Sequence, residues 1–103
     1  MTTLDYLLFD ASEGDDDTAL FDAMASVLPE HELAVQAEIA IVFDWAEATF
    51  PGRRGPVEEG GEWDAELQVA SDDEGRRRSY ALSISGTRGF GEAFVERFAQ
   101  ALS

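Results

Sequence analysis

Gly86-Thr87-Arg88-Gly89-Phe90-Gly91 is the stretch whose spacing comes nearest to a known chemistry. It follows an alternating run, opens a helical one, and carries the Gly-x4-Gly spacing of a phosphate-binding loop. Such a loop continues with Lys and Ser or Thr, which hold the phosphates and magnesium; here Glu92 and Ala93 follow, and Glu92 would repel a phosphate. Nor do the glycines fall at the dinucleotide spacing. What remains is a small anion held by backbone N–H groups and Arg88, or a plain strand-to-helix turn, and the sequence favours the turn.

The other reactive side chains fare no better. Asp10, Ser12, Gly14 and Asp15–Asp17 lack the alternation and the twelfth-position Glu of a calcium loop. One of the aspartates, Asp17 by position, is expected to cap a helix instead. His31 is the single histidine, set between Glu30 and Glu32 with no nucleophile or orienting carboxylate in the local sequence, so it reads as a solvated turn residue. Glu38, Glu62, Asp64 and Glu66 are placed to line one outer sheet face, offering paired carboxylates for acid–base work. Without a pocket they read as a solvated acidic face. Arg53-Arg54 and Arg76-Arg77-Arg78 make local basic patches, expected to pair with neighbouring acids.

Composition narrows the field further. The 103 residues fit one domain, and 45% hydrophobic residues with seven Phe and two Trp suffice for a core. The absence of Cys removes disulfides, thiolate metal sites and thiol nucleophiles; one His leaves transition metals unsupported, and no cofactor or metal is expected. No apolar run is as long as a membrane span, and Met1–Asp10 lacks the basic region of a secretion signal, so a cytoplasmic location is the expectation. Twenty-two acids face seven bases, all Arg, for a formal charge of −15. That field repels nucleic-acid phosphates and anionic membrane and draws in a basic protein; high charge also simply keeps a small protein soluble.

These residues must be held by six elements. The central one is His31–Trp45, where every odd position from Leu33 to Trp45 is apolar. Period two, with β-branched and aromatic residues, predicts a long strand, since Gln36 and Glu38 would point to nearly opposite sides of a helix. Thr3–Asp10 predicts a first strand, and Thr18–Leu28 a helix with Leu20, Met24, Val27 and Leu28 on one face, ended by Pro29. The first β-α-β step then suggests a right-handed crossover with its two strands parallel. Phe50–Gly61, punctuated by Pro and Gly, is a loop and the candidate flexible segment. Glu62–Ser71 alternates cleanly, with Trp63, Ala65, Leu67 and Val69 inward. Asp72–Gly75 is a hairpin turn, and Arg76–Ser85 returns with Tyr80, Leu82 and Ile84 inward. Gly89–Leu102 spaces Phe90, Phe94, Phe98 and Leu102 four apart, a helix packed on the sheet.

The expected fold is α+β: a two-layer α/β sandwich in the order β-α-β-β-β-α, with a mainly antiparallel four-stranded sheet and both helices on one face. Leu7, Phe9, Ala40, Val42 and Ala81 would then lie on the open face, where Phe9 and Val42 would form an apolar patch. The functional expectation is a small non-enzymatic interaction module, an acidic blocker of a basic partner in its sharpest form. Phe9, Val42, Glu38, Asp64 and Glu66 are its expected surface, and the chain is a monomer or a homodimer through the open sheet face. The competing expectation is a ligand-binding protein or enzyme with a pocket between the sheet and the 50–61 loop, holding Trp45, Trp63 and nearby carboxylates.

Overall fold

The computed structural model describes residues 4–14, 17–72 and 74–102. In chain order the elements are β1 (Phe9–Glu13), β2 (Ala19–Val27), α1 (Glu32–Thr49), β3 (Trp63–Ser71), β4 (Arg78–Gly86) and α2 (Arg88–Arg97), with single 3-10 turns at Pro29–His31, Val57–Glu59 and Ala99–Ala101. The four strands form one antiparallel sheet in the order β1-β2-β4-β3. One face is covered: α1 reaches Tyr80 of β4 through Gln36, and Phe94 of α2 stacks on Phe21 of β2. This is the α+β two-layer fold that the sequence implies.

Along the chain the observed order is β-β-α-β-β-α, so the second and third elements are exchanged relative to expectation. Residues 19–27 are a strand because their real period is two. Phe21, Ala23, Ala25 and Val27 are buried, while Asp22, Met24 and Ser26 are exposed. Two of the buried positions are alanine because their cross-strand neighbours are large: Ala23 lies beside Phe9 and Leu82, and Ala25 beside Tyr80. β1 and β2 therefore form an antiparallel hairpin rather than a parallel crossover pair. Asp17, at φ 63°, is in the turn of that hairpin and caps no helix; Asp15 and Asp16 lie outside the described residues.

Residues 32–49 are a helix, not a strand. Val35, Glu38, Ile39, Val42 and Ala46 are the buried set, spaced as one helical stripe. Five alanines (Ala34, Ala37, Ala40, Ala46, Ala48) favour helix, and Ala34, Ala40 and Val42 put apolar residues at even positions within Leu33–Trp45, so its alternation is incomplete. Glu38 is on the inner face because its carboxylate has a structural task there. It accepts the backbone N–H groups of Asp5 (2.9 Å), Tyr6 (2.9 Å) and Leu7 (3.1 Å), pinning the segment before β1 to α1. Residues 4–8 are thus a tethered segment rather than the body of a first strand, which begins only at Phe9; Thr3 lies outside the described residues.

The second half of the chain follows its sequence closely. β3 and β4 form the expected antiparallel hairpin, paired from Trp63↔Gly86 to Ser71↔Arg78, and the turn between them uses Gly75 at φ 69°. Arg76 and Arg77 belong to the turn, so β4 starts two residues later than its sequence suggests. Thr87 caps α2, its hydroxyl accepting the Phe90 N–H at 3.2 Å. Phe90, Phe94 and Phe98 are all buried, and Trp45 of α1 lies within 5.3–5.9 Å of each ring. Burying these three rings is worth roughly 5–9 kcal/mol gross, an upper bound. The aromatic block between α1 and α2 is the heart of the core. The 50–61 segment is tied down by Gly55 N–H to Trp63 O (2.7 Å) and Glu62 N–H to Arg53 O (2.8 Å).

Candidate functional site

The glycine-spaced turn at 86–91 is a packing device. A Cβ on Gly86 would stand 2.4 Å from the Phe90 ring, and one on Gly91 would stand 2.5 Å from the Ala19 Cβ. The glycines let α2 settle onto β4 and β2. The anion place at the start of α2 already has a carboxylate beside it, since the Thr87 hydroxyl donates to Glu62 at 2.8 Å. His31 is at the surface, 3.3 Å from the Tyr6 hydroxyl. Among the described residues no group of three His, Cys, Asp or Glu side chains is arranged to hold a metal ion.

The expected surface residues separate. Phe9 (0% exposed) and Val42 (1%) are in the core, so no open-face patch forms from them. The cause is the helical state of residues 32–49 and the register of β1, which turns Phe9 toward α2, 5.1 Å from the Phe94 ring. Glu38 is buried on its three amides. Asp64 and Glu66 lie on the open sheet face, beside Asp22, Ser83 and Ser85 around a depression of about 310 Å³. Their carboxylates have intramolecular partners: Asp64 meets Arg54 at 3.4 Å, Asp22 accepts from Ser83 at 2.7 Å, and Glu66 accepts from Gln68 at 3.4 Å.

Near the 50–61 loop, a cavity of about 220 Å³ is lined by loop residues, Arg53, Arg54 and Glu59 among them. Trp45 and Trp63 are in the aromatic core and do not line it.

A larger depression lies elsewhere, a groove of about 730 Å³ between the β1–β2 hairpin and α2. Its floor is apolar: Ala11, Ala19 and Phe21 from the hairpin, Gly91 and Val95 from α2. Val95 is 43% exposed there. Its rim carries four carboxylates, Glu13, Asp17, Glu92 and Glu96, against one guanidinium, Arg88. Arg88 is paired with Glu92 at 3.4 Å. Among the described residues Glu13, Asp17 and Glu96 have no cation or hydrogen-bond donor. The hairpin places two of these acids because β1 ends at Glu13 and Asp17 turns the chain. The helix places the other two on one side, four residues apart. The sequence signal was present in Glu92-x3-Glu96 with Val95 beside it, but without the hairpin nothing in the sequence says what faces that side.

Every arginine is already engaged within the molecule. Arg53 meets Glu62, Arg76 meets Glu74, Arg78 meets Glu32, and Arg77 donates to Ser26 O at 2.7 Å. Arg54 lies over the Phe43 and Trp63 rings, and Arg97 over Phe98. The field that the molecule presents outward is therefore that of its surplus carboxylates.

No family model, no curated protein and no solved structure matches the chain. No helix among the described residues is long and apolar enough to cross a membrane.

Proposed function

We propose that the chain is a protein-interaction module whose acid-rimmed groove takes a basic amphipathic segment of another protein, in the manner of an acidic blocker. The observation that carries this reading is the pairing of two exposed apolar floor residues, Ala11 and Val95, with rim carboxylates that have no cation among the described residues. An Arg- or Lys-bearing segment with alternating or helically spaced apolar residues would cover Val95 and Ala11 while its cations meet Glu13, Asp17 and Glu96. The open sheet face is the poorer site, because its acids already have partners and its depression has less than half the volume of the groove. The −15 charge adds long-range attraction for any basic protein and is not specific to the groove.

The test is a titration of the labelled chain with a synthetic Leu–Lys amphipathic peptide, followed by amide shifts. Shifts confined to the groove, at Ala19, Gly91 and Val95, that fade as salt is raised are the expected result. Shifts spread evenly over all acidic surfaces, the open sheet face included, would contradict the reading.

A further inference from the structure

The two edges of the sheet are treated differently. β1 is five residues long and its Phe9 is bridged in parallel by Leu102, so that edge is partly covered. β3 is nine residues long, and only its beginning is covered: Trp63 O accepts from Gly55 N–H at 2.7 Å, and Ala65 O accepts from Arg54 Nη2 at 3.3 Å. Those two bonds fix which residues turn their backbone outward. The odd-numbered ones do, while the even-numbered ones bond β4, a pattern continued by Thr87 N–H to Glu62 O. Among the described residues nothing bonds the outward N–H and C=O groups of Leu67 and Val69 at the edge. Their side chains, on the helix-covered face but beyond the helices, are 39% and 47% exposed. The run Glu66–Ser71 has no Pro, no Lys and no inward charge, the usual devices that protect an edge.

We propose that this edge pairs antiparallel with β3 of a second copy, the two-fold axis passing through Gln68, so that two four-stranded sheets become one. In this register Leu67 lies opposite Val69 of the second copy, and the reverse. The outward N–H and C=O groups of both residues are satisfied across the axis, and the two exposed apolar pairs cover each other. On the other face Gln68 meets Gln68, and Glu66 meets Ala70, so no like charges stand opposite one another between residues 66 and 70. At each end the pairing stops at residues 66 and 70, because the edge at Trp63 and Ala65 is already held by Gly55 and Arg54. Moving the axis by one residue either way pairs Val69 with Val69 or Leu67 with Leu67 and leaves the other residue type uncovered. The self-complementary register is what favours a second copy over an unrelated strand.

Two chains of charge −15 repel, so the dimer should tighten as salt is raised, opposite to the groove's behaviour toward a basic peptide. Sedimentation of the full chain from micromolar to millimolar concentration, at low and high salt, tests this. A monomer–dimer equilibrium strengthened by salt is expected. Val69→Pro removes an outward N–H without touching the β4 ladder, and should weaken the dimer by about tenfold or more with an unchanged circular dichroism spectrum. Val69→Glu, which sets a carboxylate beside each Leu67, should do the same. A chain that stays monomeric throughout, or a dimer indifferent to both substitutions, overturns the proposal.

Discussion

Phe94 touches more of the aromatic core than any other ring: Phe9 edge-on at 5.1 Å, Phe21 stacked at 4.1 Å, and Trp45, Phe90 and Phe98 within 6.0 Å. Phe94→Ala should therefore cost about 3–5 kcal/mol in chemical denaturation; an unchanged midpoint would show that α2 does not pack as described. Glu38 is the polar counterpart. Glu38→Ala leaves three amides without an acceptor and should cost about 3 kcal/mol, with faster amide exchange at Asp5, Tyr6 and Leu7. Tyr80 gives a pH signature. Its hydroxyl donates to Glu32 at 2.7 Å and is buried, and both raise its pKa above the ordinary value of 10.0, while a hydrogen bond from Gln36 partly opposes them. The folded chain thus holds this proton more tightly than the unfolded one. Its contribution to stability is complete below about pH 10 and is lost above it as the unfolded tyrosine ionises first. Denaturation midpoints measured between about pH 9 and pH 11 should fall, and Tyr80→Phe should remove that part of the fall.

At the scale of elements, what the sequence discloses depends on which side chains mark the buried face. β3, β4 and α2 are legible because Trp63, Tyr80, Leu82, Ile84 and three phenylalanines mark the inward positions unambiguously. β2 and α1 are not. The strand buries Ala23 and Ala25, which read as helix formers, and the helix is apolar nearly all round, with a carboxylate on its inner face. Local pattern names an element only when one face is clearly wetter than the other. The same limit hid the groove. Glu92, Val95 and Glu96 are visible on a helix, but Glu13, Asp17 and Ala19 join them only once residues 9–27 are known to be a hairpin. Conversely, the Gly-x4-Gly spacing was legible and uninformative, since close packing against Phe90 and Ala19 demands glycine as strictly as a phosphate would.

For the whole molecule, a localised groove and a diffuse acidic field would recognise a basic partner differently, and a charge-matched comparison decides between them. Glu13→Gln/Glu96→Gln removes two carboxylates from the groove rim, and Asp22→Asn/Glu66→Gln removes two from the open sheet face, so both variants carry the same net charge. The affinity of the Leu–Lys peptide is measured for each against the unaltered chain. Exposed charge pairs contribute about 0.2–1 kcal/mol each, so the groove variant should bind about fivefold more weakly, and the sheet-face variant as the unaltered chain does. Equal weakening in both would contradict the account, leaving total charge rather than the groove as the basis of recognition.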